Sequence, residues 1–261
     1  MQKIQTKRTD IEVYVASAGQ YYADAGAAMG VLPYKLWRDK VELDSAHRIL
    51  MELNCLFIKT AQANILVDCG IGEYLSEKQI KIYSPGKFTL IDELASVGVK
   101  KEDIHLIAFT HLHFDHAGGV INKDKKLIFK NAKYIMQKEE WDIAMNPDTL
   151  NTASYSIKDQ YHALSLSGKV ETIKGKYEIT SGIFLEKVGG HCPGMQIVKI
   201  DDSEGLIVFG GDIFPTHFHL NPSVTSAYDI CRVKVCAEKE KIKTEIAQRG
   251  GLLIFGHEKI K

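Results

Sequence analysis

The sequence predicts an α/β fold in which two β-sheets pack face to face with helices outside. Two observations predict it. Short apolar runs of strand length alternate with stretches of helical periodicity, and they fall into two successive series, each closed by helices. In addition, a lone Asp or His follows several of the apolar runs, as expected where loops gather at one edge of a sheet.

The first series opens with IEVYVAS from Ile11, which alternates like a strand. The region Tyr14–Ile49 is rich in Gly, Ala and Tyr and shows little periodicity. Next, LNCLFIKT (Leu53–Thr60) and NILVDCG (Asn64–Gly70), joined by AQA, read as a hairpin. FTLIDELASVGV (Phe88–Val99) has helical spacing, with Leu90, Ile91, Leu94 and Val97 on one side. IHLIAFT (Ile104–Thr110) is a buried strand, LIFKNAKYIMQ gives one or two strands up to Gln137, and KEEWDIAM and Tyr155–Leu166 read as helices. The second series comprises KVETIKG, GIFLEKVGG (Gly182–Gly190), MQIVKID (Met195–Asp201) and EGLIVFGGD (Glu204–Asp212). A helix over Cys231–Arg249 stops at Gly250 and turns its Lys/Glu run to solvent and Ile242 and Ile246 inward. LLIFGHE supplies a last strand.

Length and composition bound the function. The 261 residues are 45% hydrophobic and show no linker, repeat or low-complexity tract, so one domain is expected over 1–261. Lys+Arg and Asp+Glu both number 33, which removes the long-range field of a nucleic-acid or acidic-membrane binder. The five cysteines form no CxxC pair, and their odd number argues against a disulfide framework. The start MQKIQTKRTD lacks an apolar signal core, and no apolar stretch is long enough to span a membrane. A cytoplasmic protein is the expectation.

The chemistry concentrates in FTHLHFDHAGG, Phe109–Gly119. Histidines two apart, His111 and His113, can converge on one metal ion from an extended segment, while Asp115 and His116 point elsewhere and can hold a second. Gly118 and Gly119 let a helix start pack closely behind them. Asp68, His191, Asp212 and His257 each follow an apolar strand in the same way. Imidazole and carboxylate donors of this kind suit a divalent ion of the zinc type, and two such ions can share a hydroxide nucleophile.

These residues resemble the metallo-β-lactamase-fold hydrolase superfamily, marked by HxHxDH followed by a distant His, Asp and His. The resemblance implies a four-layer αββα sandwich with the metal site along one edge. It implies that His111, His113 and His191 bind one ion, that Asp115, His116 and His257 bind another, and that Asp212 bridges them. Asp68, in VDCG, corresponds to the carboxylate that steadies the ligand loop. LNCLFIKT…ILVDCGIG, NAKYIMQKEEW and GDIFPTHFHL…AYD look like the branch of acyl-homoserine lactonases and methyl parathion hydrolase-like enzymes. His113 stands where flavodiiron proteins carry Glu, which disfavours a redox di-iron role. About 45 residues between Asp212 and His257 leave no room for the inserted domain of RNA-processing nucleases.

The implied activity is cleavage of a small ester or lactone by a metal-bridging hydroxide, with Asp115 passing a proton to the leaving group. Phosphotriester or phosphodiester hydrolysis and a glyoxalase II type thioesterase are the alternatives. Two divalent ions are implied, zinc first, with iron, manganese or cobalt as substitutes. The expected partner is a small-molecule substrate, with no nucleic acid or membrane, and a homodimer is compatible with the branch. There, the N-terminal segment drapes over the site, so Met29, Leu32 and Phe114 are candidate pocket residues. Known acyl-homoserine lactonases carry a catalytic Tyr shortly after the bridging Asp. Here Ile213, Phe214 and Pro215 follow Asp212, and Tyr228 is the nearest downstream substitute. Cys192 and Met195 replace the Thr and His of relatives, with Cys192 expected to fill space, while His217 and His219 read as loop residues near the site mouth. Relatives also continue beyond the last histidine, whereas Lys261 lies four residues after His257.

Overall fold

The computed structural model describes residues 1–203 and 205–259. Glu204, at the start of the expected EGLIVFGGD strand, and Lys261 lie outside the described residues. Strands β1 (Gln2–Ile4), β2 (Ile11–Asp24), β3 (Arg48–Thr60), β4 (Asn64–Val67), β5 (Leu106–Ala108), β6 (Lys133–Gln137) and β7 (Val170–Ile173) form one sheet in that order. The second sheet contains β8 (Lys176–Thr180), β9 (Ile183–Lys187), β10 (Gln196–Asp202), β11 (Gly205–Phe209) and β12 (Leu252–Ile254), ordered β12-β11-β10-β9-β8. Helices are α1 (Ala25–Met29), α2 (Tyr34–Trp37), α3 (Glu77–Tyr83), α4 (Leu90–Ser96), α5 (Phe114–Ala117), α6 (Lys138–Met145), α7 (Lys158–Leu166) and α8 (Arg232–Arg249).

Burial on both faces of a strand produces the layers. In β3, Cys55 and Phe57 face the helices of the first sheet while Leu56 and Ile58 face the second sheet. In β11, Ile207 and Phe209 face the first sheet, and Leu206 and Val208 pack beneath Val235 and Ile242 of α8. The period-2 alternation of side chains therefore feeds three apolar cores between four layers, helix–sheet–sheet–helix. These continuous apolar runs are why the strands were readable from sequence. Among the described residues no helix is long and apolar enough to cross a membrane.

Four expectations need correction. The N-terminal region is not aperiodic: Ile11–Asp24 is one 14-residue strand, paired with β3 through a register shift between Ser17 and Gln20. At Gly19, inside that irregularity, φ is +115° and a Cβ would meet the Lys87 carbonyl oxygen at 2.5 Å, so only glycine fits. KVETIKG joins the first sheet, not the second, because β7 pairs in parallel with β6. Met29 is sealed in the core between the first sheet and its helices instead of lining a pocket, and Leu32 packs beside that core. The Lys/Glu run of α8 is not wholly solvated, since Lys239 is fully buried. Its Nζ donates to the Val224 carbonyl at 2.6 Å, and burial lowers its pKa to about 8.

Candidate metal centre

The strand directions place the candidate residues at one end of the sandwich. β4 and β5 run parallel and deliver Asp68 and His111 from their C-terminal ends. β11 and β12 also run parallel and deliver Asp212 and His257. His191 follows β9, and the short helix α5 carries Asp115 and His116. The turn that holds the cluster is tight, because Cβ atoms on Gly118 and Gly119 would lie 2.3 Å from the Ile71 oxygen and 2.0 Å from the Cys69 oxygen.

Two groups of donor atoms result. His111, His113, His191 and Asp212 form one, and Asp115, His116, Asp212 and His257 the other, with the donor atoms of each within 4.8 Å of one another. Asp212 belongs to both and divides its oxygens between them. Its Oδ2 lies 3.3 Å from His191 Nε2 and 4.0 Å from His111 Nε2, while Oδ1 lies 3.0 Å from His116 Nε2 and 2.9 Å from His257 Nε2.

The outward ring nitrogens fix the tautomers. His116 Nδ1 meets Asp68 Oδ2 at 2.9 Å, His191 Nδ1 meets Asp229 Oδ1 at 2.8 Å, and His257 Nδ1 meets the Glu52 carbonyl at 2.7 Å. Carboxylate and carbonyl oxygens only accept, so each Nδ1 carries the proton and each Nε2 presents a bare lone pair inward. Thr110 gives its hydroxyl proton to Asp68 Oδ2 at 2.7 Å and its backbone N–H to Oδ1 at 2.8 Å. That leaves the Thr110 oxygen to accept from His111 Nδ1 at 3.1 Å. Asp68 takes a left-handed backbone, φ +60°, to make these contacts.

The inward atoms then face one another without donors between them. His116 Nε2 lies 3.1 Å from His257 Nε2, and His191 Nε2 lies 3.1 Å from His113 Nδ1. His111 Nε2 is buried with no hydrogen-bond partner, and Asp212 Oδ1 is buried with the His116 and His257 Nε2 atoms beside it. His113 Nε2 is likewise buried and unpartnered, on the side away from His191. Lone pairs pointed at one another are what a divalent cation between them would resolve, so the residues fit such an ion.

Charge tells the same story. Burial pushes the His111 and His113 pKa values well down, and neighbouring imidazoles add to it. Burial also opposes protonation of His116, His191 and His257, but Asp212 and the other carboxylates outweigh it and raise all three, so without a metal ion protons compete for these inward Nε2 atoms. Asp212 is held well below the usual carboxylate range by His257, His116 and His191 despite its burial. The site is a sink of negative charge that calls for cations.

The ligand loops rest on a buried carboxylate absent from the sequence expectations. Glu140 of α6 is fully buried and accepts from Leu112 N–H and Tyr155 O–H at 2.7 Å each through Oε1. Its Oε2 accepts from Cys192 Sγ at 3.0 Å and Gly194 N–H at 3.2 Å. Glu140 thus ties the His111–His113 segment to the His191 loop. Cys192 points at Glu140, and burial holds its thiol protonated, so it fills space as expected. Asp229, one residue past Tyr228, was also missed, and Tyr21 reaches Asp115 with its hydroxyl. Tyr228 stands 43% exposed on the cavity wall. His219 is buried away from the cavity wall, bonded to Thr216 and Ala28, and exposed His217 pairs with Glu258.

The cluster floors a cavity of about 410 Å³. Phe114 lines it as expected, together with Tyr21, Ala23, Ala28, Met51, Tyr83, Leu150, Tyr228 and Ile230. Among the described residues no Lys or Arg lines it.

Comparison with known proteins identifies the fold and the family. A probable metal-dependent hydrolase from Staphylococcus aureus superposes with a TM-score of 0.91 at 31% identity, covering 97% of this chain and 91% of that one. The dizinc quorum-quenching lactonase AidC, solved with the product N-hexanoyl-L-homoserine, superposes with a TM-score of 0.80 at 22% identity over 98% of this chain and 90% of its own. An N-acyl homoserine lactonase of Bacillus cereus is 26% identical over 216 residues, 78% of this chain and 80% of that protein. The sequence profile of the metallo-beta-lactamase superfamily matches residues 51–257, and the chain belongs to that superfamily.

Proposed function

We propose that the protein is a binuclear metal-dependent hydrolase that opens a small, uncharged ester or lactone. The observation that carries this reading is the pairing of the two donor groups on opposite oxygens of Asp212, beneath a cavity lined by no Lys or Arg among the described residues. Zinc is the ion of choice for five imidazoles and two carboxylates, in keeping with the dizinc AidC. Bound there, such ions supply Lewis acidity and bring the pKa of a water ligand to about 7, which makes a nucleophile available at neutral pH.

The chain's own residues supply the rest. Asp68, Asp229, Thr110 and the Glu52 carbonyl orient four of the imidazoles. The apolar wall of Ala28, Met51, Phe114 and Leu150 excludes water and takes the hydrophobic part of a substrate. Asp115, which lines the cavity, is placed to move a proton to the leaving group, while Tyr228 contacts the substrate from the cavity wall.

Beyond the metal-holding residues, the described cavity lining offers Asp229 and no Lys or Arg to pair with the charges of an anionic substrate. That disfavours phosphodiesters and glutathione thioesters and leaves neutral phosphotriesters as the second reading. A panel of lactones, aryl esters, thioesters and phosphotriesters on metal-quantified protein tests it. Lactone or aryl ester turnover that disappears on chelation and returns with zinc is the expected result. A wide preference for phosphotriesters would replace the leading reading, and two-metal protein that turns over nothing would refute it.

A further inference from the structure

Tyr21 enters the cluster from an unexpected direction, the C-terminal part of the long strand β2. It is 6% exposed, and its hydroxyl donates to Asp115 Oδ2 at 2.9 Å. That oxygen is the one facing the other ligands, 3.6 Å from His257 Nε2 and 3.8 Å from His116 Nε2. The Tyr21 ring also meets His257 edge-on, with centroids 5.8 Å apart at 72°. Across the ladder Tyr21 pairs with Met51, and the adjacent residue of β3, Glu52, accepts the Nδ1 proton of His257 through its carbonyl. Two neighbouring positions of one β-ribbon therefore hold Asp115 and His257.

The other donor group is supported elsewhere. His111 and His191 are oriented by Thr110 and Asp229, and the loops on either side are tied by Glu140. No other hydrogen bond to the Asp115 carboxylate occurs among the described residues; its remaining polar neighbours are the His116 and His257 imidazoles of the same donor group. The Tyr21 hydroxyl meets a carboxylate oxygen that can only accept, so it serves as a donor that fixes the carboxylate.

We propose that Tyr21 is a positioning residue for one metal site only: by holding Asp115 it sets the affinity of the Asp115–His116–Asp212–His257 group and leaves the His111–His113–His191–Asp212 group unchanged. The proposal rests on the binuclear reading above.

Metal-stripped wild type and Tyr21→Phe are titrated with Co(II), following visible absorption and bound metal by mass spectrometry. Phenylalanine keeps the ring against His257 and removes only the hydroxyl. Two ions are expected in wild type. In Tyr21→Phe the first should bind as in wild type and the second about 10-fold or more weakly. Tyr83→Phe, which removes a hydroxyl from the same cavity wall, should alter neither affinity. Equal affinities in wild type and Tyr21→Phe, parallel weakening of both sites, or a matching loss in Tyr83→Phe would overturn the proposal. A wild type that takes only one ion would instead overturn the binuclear reading, and this inference with it.

Discussion

Asp229 Oδ1 lies 2.8 Å from His191 Nδ1, on the side of the ring away from the metal cluster, while its Oδ2 accepts the Ser226 N–H at 2.8 Å. The carboxylate is thereby locked by its own loop and in turn locks the imidazole. Asp229→Asn removes the charge and exchanges one acceptor for a donor. We expect metal affinity and turnover to fall about 10- to 100-fold. Tyr228→Phe, one residue away, should leave bound metal unchanged and act on KM. Metal analysis with steady-state kinetics separates the two, and equal metal loss in both variants would contradict the assignment.

Glu140 receives four donors from three segments of chain. Glu140→Gln sets an NH2 group against N–H or S–H donors and leaves them buried without a partner. A loss of stability on the order of 3 kcal/mol is expected, measured by chemical denaturation of metal-free protein. A change below about 1 kcal/mol would show that the network relaxes and that Glu140 is replaceable.

Gly119 separates the ligand turn from the β4 loop by less than one methyl group. Gly119→Ala places a Cβ 2.0 Å from the Cys69 carbonyl oxygen, and the backbone on both sides is hydrogen-bonded, Cys69 N–H to His116 and Gly119 N–H to Gly70. Neither segment can yield easily. The variant should lose roughly 3 kcal/mol or more in thermal unfolding and fail to hold two ions.

Acid should destabilise the fold through His219. Its Nδ1 accepts from Thr216 and its Nε2 donates to the Ala28 carbonyl, and burial, followed by the charge of Lys239, lowers its pKa from 6.5 to about 4. The folded pKa is below the unfolded one, so between these values the unfolded chain binds a proton that the folded chain refuses. Stability is full above about pH 6.5 and falls as pH drops toward 4, by about 2 kcal/mol at pH 5. Denaturation of wild type and His219→Gln at pH 7 and 5 reads this directly. The variant should lose less on acidification, and an identical loss in both would place the sensitivity elsewhere.

The legible part of the structure was whatever the sequence states locally. Apolar runs buried on both faces announced the strands, and HxHxDH put four donors on one turn at a spacing no helix core requires. Strand membership was less legible: β7 follows a helix, and nothing in KVETIKG says which sheet it will join. The groups around the metal site were hardest to see because each is an ordinary residue made special by a distant contact. Tyr21 is 94 residues from Asp115, and Asp229 is 38 from His191. The Glu52 support is a carbonyl, which no residue type could advertise. Lys239 was hidden in a charge run whose other members are mostly exposed, and only the packing of α8 against Phe214 and the Val224 carbonyl singles it out.

The seam between β3 and the segment after β12 governs the timing of assembly. Asn54 donates its side chain to the Phe255 and Glu258 carbonyls, and Glu52 N–H donates to His257. A nascent chain that has emerged only as far as His191 can fold much of the first sheet, yet it displays four of the five ligand imidazoles with no bridging carboxylate. Asp212 and His257 arrive last, and His257 must then find a strand made 200 residues earlier. Productive metal capture is therefore a late step of biogenesis, and a ribosome-stalled chain ending before β12 should carry at most one ion.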